Sequence, residues 1–180
     1  MRLLASALAL ALALAPVAAV PALREGTAAP DFTTTGALAG RPFQLNLRAQ
    51  LRRGPVVLYF YPRAFTPGCT LEAHAFSEAA RDFRRAGARV VGLSADDYET
   101  LRRFSVEHCR NAFPVATASA ETIAAYEVAI PDRPMSNRTS YLIAPNGRIV
   151  SVYSDPDWRN HVPNMLAAVR EWRARQRRRG

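Results

Sequence analysis

Continuous apolar runs and helical repeats alternate along the chain, and together they predict a sheet covered by helices. Val56 to Tyr61 is an unbroken apolar and aromatic run between Gly54-Pro55 and Pro62. Such a run is typical of a strand that is buried on both faces. Residues 88–93 form a second apolar run, which predicts a further strand.

The segment between these two runs has the spacing of an amphipathic helix over residues 69–85. Its apolar residues share one side and its arginines the other: Phe76, Ala79, Ala80 and Phe83 against Arg81, Arg84 and Arg85. We expect Gly87 to end this helix. The Asp96-Asp97 turn then supplies capping side chains for another helix, which runs toward Arg110.

The last third of the chain predicts a short helix, a hairpin and a final helix. The short helix begins at Ser119 and runs through Tyr126. Thr139 to Ile143 and Ile149 to Tyr153 flank an Asn-Gly pair, which is a strong signal for a hairpin turn. The final helix is expected to begin near Trp158.

The segment before the first buried strand carries weaker signals. Residues 21–40 are rich in Ala, Thr, Gly and Pro and predict a loosely ordered lead-in, with short extended pieces near residues 43–47. Taken in order, the elements predict an α/β fold with helices on both faces of one sheet. We find no internal repeat and expect a single domain over residues 20–180, ending in a basic tail.

Composition and charge fit one globular domain. The chain has 180 residues, of which 49% are hydrophobic, and all 24 basic residues are arginines, giving a net charge of +9. Five arginines crowd the last eight residues, Arg173 to Gly180. Such a tail suits a solvated helix end, because cations there complement the helix dipole. A surface that attracts anionic partners is the alternative, and no nucleic-acid partner is expected.

The first residues have the order of a secretory signal peptide. Met1-Arg2 supplies the positive start, Leu3 to Ala15 is almost entirely Leu and Ala, and small residues follow Pro16. Cleavage after Ala19 fits best, so residues 1–19 are expected to be removed. The alternative is an uncleaved N-terminal anchor. Both place the folded domain outside the cytoplasm, periplasmic or secreted, where disulfides persist.

The candidate chemistry lies in the loop that follows the first buried strand. Cys69 is at the start of the predicted helix, where free backbone N–H groups favour an ionised thiol and can hold a polarised oxygen. Thr66 lies three residues earlier, within reach of a hydrogen bond from its hydroxyl to the sulfur. Pro62 and Pro67 stiffen the loop. The residues therefore predict an activated thiolate.

These residues carry a resemblance to the peroxiredoxin family. Pro62, Thr66 and Cys69 reproduce its Pro-x-x-x-Thr-x-x-Cys signature, and the surrounding Thr-Pro-Gly-Cys-Thr resembles the bacterioferritin-comigratory, or Q-type, group. Residues 91–96, 113–114 and 138–143 are similar to later segments of that family. The resemblance implies a thioredoxin-like fold with a central mixed sheet.

The resemblance also implies roles for individual residues. Cys69 is the nucleophile that attacks the peroxide and becomes a sulfenic acid. Arg138 is the active-site arginine, which favours the thiolate and holds a peroxide oxygen with Thr66 and the Cys69 N–H. Glu72 matches a family glutamate that orients the arginine. An acidic residue in a first helical turn is also favourable without any such role.

The position of a resolving cysteine for Cys69 departs from the commonest Q-type pattern. Many relatives carry a resolving cysteine five residues after the nucleophile, and here His74 stands there. We interpret His74 as a surface or half-buried helix residue. The only other thiol is Cys109, which we place in the following helix. Three roles remain open for Cys109: resolving the sulfenic acid, a static disulfide, or none.

The implied function is a thiol-dependent peroxidase acting on hydrogen peroxide or organic hydroperoxides. It needs no metal, haem or flavin, draws on a thioredoxin-like or other thiol reductant, and works as a monomer or weak dimer. One alternative is an exported thioredoxin-like disulfide reductase, but Thr66 stands where that class needs a second cysteine. The other is a catalytically silent binding module, against which Cys69, Thr66 and Arg138 argue.

Overall fold

A computed structural model describes residues 22–178. The predicted signal peptide, residues 1–19, and the last two residues lie outside the described part. None of the helices in residues 22–178 is both long and apolar enough to cross a membrane.

The described residues form seven strands, five α-helices and one short 3-10 helix. In chain order they are β1 (Thr33–Leu38), β2 (Arg41–Asn46), α1 (Leu47–Leu51), β3 (Val56–Phe60), α2 (Pro67–Arg85), β4 (Arg89–Ser94), α3 (Tyr98–Glu107), β5 (Val115–Thr117), α4 (Ala120–Ala125), β6 (Thr139–Ile143), β7 (Ile149–Ser154), the 3-10 helix (Trp158–Asn160) and α5 (His161–Arg177).

All seven strands belong to one mixed sheet in the order β2-β1-β5-β4-β3-β6-β7. The pairs β3/β4 and β4/β5 are parallel, and the other neighbours are antiparallel. β3 and β6 are buried along their whole length. The expected α/β fold with a central mixed sheet is confirmed.

Successive residues of β3 point into two different cores. Val57 and Tyr59 face a core shared with α2, α3 and α5, whereas Val56 and Leu58 face one shared with α1 and α4. This alternation is the ordinary geometry of a strand between two helical layers. It confirms the prediction that both faces of the sheet are covered.

The loosely ordered lead-in predicted for residues 21–40 is wrong in its second half. Thr33–Leu38 is strand β1, which pairs with β2 on one side and β5 on the other. At Gly36 the backbone of β5 approaches so closely that a Cβ would collide with the Val115 carbonyl oxygen. The glycine that weakened the strand signal is therefore the residue that allows the pairing.

Candidate active site

Cys69 lies in the first turn of α2, directly after the loop that leaves the central strand β3. Thr66 is the N-cap of the helix, and Pro67 follows at a position where the missing N–H costs nothing. The Cys69 side chain is 2% exposed and its thiol is free. The first-turn N–H groups of a helix have no partner within it, so the sulfur lies at its positive end.

Arg138 reaches Cys69 from the strand on the other side of β3. Thr139, the first residue of β6, pairs with Phe60, the last residue of β3, so Arg138 lies where the Cys69 loop begins. Its Nη2 donates to the Cys69 sulfur at 3.4 Å, and its Nε donates to the Pro156 carbonyl oxygen at 3.0 Å. The sheet register thus brings together two residues 69 positions apart.

Glu72 completes the contacts of the Arg138 guanidinium. One carboxylate oxygen of Glu72 accepts a hydrogen bond from Arg138 Nη1, and both side chains are buried. Burial lowers the pKa of Arg138, but the attraction of Glu72 and Cys69 outweighs it and leaves that pKa raised. The structure therefore places Glu72 where it can orient Arg138.

Thr66 does not form the predicted hydrogen bond from its hydroxyl to the sulfur. Its Oγ1 donates instead to the Arg63 carbonyl oxygen at 2.9 Å. A hydroxyl has a single proton, so this bond uses the donor and leaves the oxygen as an acceptor. Thr66 is half-buried and so is Pro62 at the start of the loop.

The Asp96 carboxylate holds the loop in place. Its Oδ2 accepts hydrogen bonds from the Ala64 backbone N–H and from the Ser94 hydroxyl, both at 2.7 Å. Because Ser94 ends β4, the loop of Cys69 is fixed to the neighbouring strand. The family resemblance identified residues 91–96 only as a similar strand and turn. The structure shows that Asp96 fixes the loop of Cys69 to β4.

Sequence reasoning missed two further residues beside the site. His161, the first residue of α5, is fully buried, and its Nδ1 lies 3.7 Å from the second carboxylate oxygen of Glu72. Trp158 lies near Gly68, where an added Cβ would be 3.3 Å from Arg138 Nη2 and 3.8 Å from Trp158 Cδ1. Neither has a spacing to Cys69 that would reveal it, because the 3-10 helix and α5 meet α2 only through tertiary packing.

Cys109 is buried, free, and outside the helix in which it was predicted. Helix α3 ends at Glu107, and Cys109 lies in the turn that follows. The helix cannot continue, because Arg110 and Asn111 both have positive φ angles, 51° and 60°. Burial raises the pKa of the Cys109 thiol well above its usual range. Cys69 and Cys109 belong to the same hydrophobic core.

His74 is half-buried, as predicted, and contacts the turn that carries Cys109. Its Nε2 lies 3.1 Å from Nδ1 of His108. Burial and the nearby Arg110 lower the pKa of His74. No group of three or more His, Cys, Asp or Glu side chains within residues 22–178 is arranged to hold a metal ion.

A scan against protein-family models matches residues 26–152 to the AhpC/TSA family. Peroxiredoxin Q from the chloroplast of Oryza sativa subsp. japonica is 40% identical over 84 residues, which are 47% of this chain and 37% of that protein. Peroxiredoxin Bcp of Xanthomonas campestris is 29% identical over 122 residues, 64% of this chain and 76% of that protein. The chain thus matches well under half the length of the plant relatives.

Solved structures with the same fold include two of related sequence. Peroxidoxin BcpB from Mycobacterium tuberculosis superposes with a TM-score of 0.74 at 30% identity, covering 83% of this chain and 97% of that one. Peroxiredoxin Q from Xanthomonas campestris gives a TM-score of 0.67 at 28% identity, covering 77% and 90%. A Plasmodium vivax 2-Cys peroxiredoxin, 22% identical with a TM-score of 0.75, shares the fold.

Proposed function

Because this chain belongs to the AhpC/TSA family of peroxiredoxins, we propose that it is a thiol-dependent peroxidase with Cys69 as its nucleophile. The observation that carries the proposal is the contact between Arg138 Nη2 and the buried Cys69 sulfur, at 3.4 Å, in the first turn of α2. A guanidinium stays charged and presents several rigid donors, which suits it to hold both a thiolate and a peroxide oxygen.

The proposed reaction forms one S–O bond and breaks one O–O bond. The Cys69 thiolate attacks the terminal oxygen of ROOH, the sulfur becomes a sulfenic acid, and the leaving RO⁻ takes up a proton to form ROH. Arg138 and the N–H of Cys69 stabilise the charge as it moves to the leaving oxygen. The Thr66 oxygen, whose own proton is held by Arg63, accepts from the peroxide hydroxyl. Hydrogen peroxide and organic hydroperoxides are the proposed substrates.

We propose that Cys109 resolves the sulfenic acid and that a thioredoxin-like or other thiol protein then reduces the disulfide. Both cysteines are free and lie in one hydrophobic core. A static disulfide would remove the nucleophile, so it is not favoured. Export, proposed from the first 19 residues, would place the reaction in a compartment where a disulfide persists.

Substitution of the nucleophile tests the proposal directly. Cys69→Ser should abolish peroxide consumption, because a serine hydroxyl is not appreciably ionised near neutral pH. Peroxide loss is followed with purified protein and excess dithiothreitol, and Cys109→Ser is the matched control, which keeps the nucleophile and turns over because the dithiol reduces its sulfenic acid. Rapid turnover by Cys69→Ser would overturn the proposal. A disulfide reductase or a silent binding protein would leave peroxide unconsumed even with Cys69 present.

A further inference from the structure

The second carboxylate oxygen of Glu72 is a buried acceptor without a donor. Glu72 is fully buried, and its Oε2 is taken by Arg138, whereas its Oε1 makes no hydrogen bond within residues 22–178. The polar atom nearest to it in an ion-pair geometry is His161 Nδ1, at 3.7 Å. A buried acceptor without a hydrogen-bond donor costs free energy. A proton on or beside this oxygen would remove that cost.

Contacts of His161 show which of its ring nitrogens can supply or receive that proton. Nε2 lies 2.9 Å from the Asp155 carbonyl oxygen, which can only accept, so Nε2 carries a hydrogen. Nδ1 of the neutral ring is then an acceptor, and it lies 2.8 Å from the Ser140 hydroxyl. A hydroxyl can donate or accept, so Ser140 fits a neutral ring and a protonated ring equally well.

The other groups around the His161 ring do not donate a hydrogen bond to Glu72 Oε1. Tyr153 packs edge-on against His161 with ring centroids 4.8 Å apart, and its hydroxyl donates to the Asp155 carboxylate. The remaining charged groups that act on His161 are Arg138, Asp155 and Asp157. His161 Nδ1 has one position for a hydrogen or a lone pair, which faces Ser140 at 2.8 Å, and Glu72 Oε1 lies 3.7 Å away. A proton between Oε1 and Nδ1 can therefore be held on either atom when Nδ1 exchanges Ser140 for Glu72 as its partner.

Charge balance connects this proton to Cys69. Arg138 contributes one positive charge and touches two groups that can be anions, Cys69 and Glu72. Burying a second, uncompensated anion beside it is unfavourable. When Cys69 is a thiol, Glu72 is the anion; when Cys69 is a thiolate, Glu72 must share a proton. The cluster of Cys69, Arg138, Glu72 and His161 then keeps the same total charge.

We propose that Glu72 and His161 form a proton-holding pair, with His161 as a positioning residue that frees the charge of Arg138 for the Cys69 thiolate. This proposal rests on the peroxidase function proposed above. The thiol proton leaves sulfur as Cys69 ionises, and one proton is taken up between Glu72 Oε1 and His161 Nδ1, so charges and protons balance. Burial raises the pKa of Glu72, against the attraction of Arg138, and lowers the pKa of His161.

Three substitutions separate the parts of this pair. His161→Gln keeps an amide that can reach the Asp155 carbonyl oxygen but offers nothing at the Nδ1 position. His161→Asn places an amide near Nδ1 instead. Glu72→Gln is permanently neutral and leaves Arg138 with Cys69 as its only anion. The measurement is the rate of Cys69 alkylation by iodoacetamide against pH, in Cys109→Ser protein so that a single thiol is read.

We expect His161→Gln to raise the midpoint of the alkylation profile by about one pH unit, since nearby charges shift ionisation by this order. Reactivity below the midpoint then falls about tenfold, because the thiolate fraction falls by that factor. His161→Asn should leave the midpoint close to the wild-type value, and Glu72→Gln should lower the midpoint. In a Glu72→Gln background, His161→Gln should have no further effect. His74→Gln, a half-buried histidine on α2, is the control with an unchanged midpoint.

Unchanged midpoints in folded His161→Gln and Glu72→Gln proteins would overturn the proposal. Should these variants fail to fold, ¹⁵N NMR of His161 in the Cys109→Ser protein decides instead: its Nδ1 resonance should change where the thiolate forms, and not in Cys69→Ser. A resonance that ignores the thiolate would also overturn it. Alkylation needs no peroxide, so this test can fail while peroxide is still consumed. Absence of peroxide consumption would count against the proposed function alone.

Discussion

At the scale of single residues, Arg138 is the side chain on which the other site contacts converge. Its three nitrogens contact three different groups, namely the Cys69 sulfur, the Glu72 carboxylate and the Pro156 carbonyl oxygen. A planar guanidinium can satisfy all three at once from separate nitrogens, whereas an ammonium donates from a single nitrogen and lacks this rigid fork. Removing the planar group should therefore impair the reaction more than the fold.

Arg138→Lys should slow the reaction with peroxide by about 10²-fold, the order seen when one preorganised donor to a developing charge is lost. The thermal midpoint should change far less, because a positive charge remains beside Glu72. Stopped-flow kinetics under single turnover measures the rate. Arg133→Lys, an exposed arginine five residues earlier, is the matched control and should react at the wild-type rate. Equal rates for both variants would exclude Arg138 from the reaction.

The sequence predicted the site residues that lie close together in the chain better than those brought together by tertiary packing. Thr66 and Cys69 lie within one helical turn, so spacing alone relates them, whereas the role of Glu72 came from the family resemblance. Arg138 could be found only through the resemblance, and His161 not at all. His161 approaches Glu72 because α5 packs against α2 and β6, and such tertiary contacts leave no periodic signal in the sequence. The predicted hydrogen bond from the Thr66 hydroxyl to the Cys69 sulfur was wrong, because the conformation of the loop offers the Arg63 carbonyl oxygen as the acceptor.

At the scale of elements, the turn after α3 decides whether Cys109 can serve the reaction. The thiol is fully buried and its pKa is raised by burial, so it is a poor nucleophile where it lies. A disulfide requires Cα atoms within about 7 Å. We expect the reduced protein to hold the two cysteines farther apart than this, so that bridging them requires the first turn of α2 or the turn at residues 108–111 to unwind.

Mild peroxide treatment should convert the protein to a monomer with no free thiol and an intramolecular link between Cys69 and Cys109. Peptide mass mapping identifies the link, and hydrogen exchange should rise at residues 108–111 once it forms, because the turn has opened. Cys109→Ser should instead stop as a sulfenic acid and over-oxidise more readily. Retention of a titratable Cys109 beside sulfenylated Cys69 would assign resolution to an external thiol.

Sequence patterns predicted the central elements of the fold and missed β1 and the short elements α1 and β5. β3, α2, β4, α4 and the β6/β7 hairpin lie within a few residues of their predicted positions, since their apolar patterns are strong. β1 was missed because three exposed or half-buried threonines and a glycine give no apolar run. The end of α3 was misplaced by a few residues, because positive φ angles at Arg110 and Asn111 cannot be read from those residue types.

At the scale of the whole molecule, the arginine-rich end of α5 lies beside the end of α2. The guanidinium of Arg173 packs directly over Gly87, two residues after the last residue of α2, where an added Cβ would collide with it. Arg177 and Arg178 are exposed. Cations at the C-terminal ends of two helices complement both dipoles, which agrees with the interpretation of the tail as a solvated helix end.

Export is a prediction about the whole chain that the described residues do not test. The Leu and Ala run of residues 3–15 and the small residues at 17–19 predict cleavage after Ala19. Protein recovered from an envelope fraction should therefore begin at Val20, or at Leu23 if the second site after Ala22 is used. N-terminal sequencing measures this directly, and retention of Met1 would favour the anchor.

The position of Trp158 gives the protein an optical reporter of its own. The chain has two tryptophans, and Trp158 lies beside Gly68 and the Arg138 guanidinium, whereas Trp172 packs on the outer side of the core from α5. Indole emission responds to nearby charge and to solvent, and both change when a thiolate becomes a sulfenic acid and the first turn of α2 unwinds. If the proposed reaction takes place, we expect each turnover to change the intrinsic fluorescence of Trp158, which would time the reaction without an added dye.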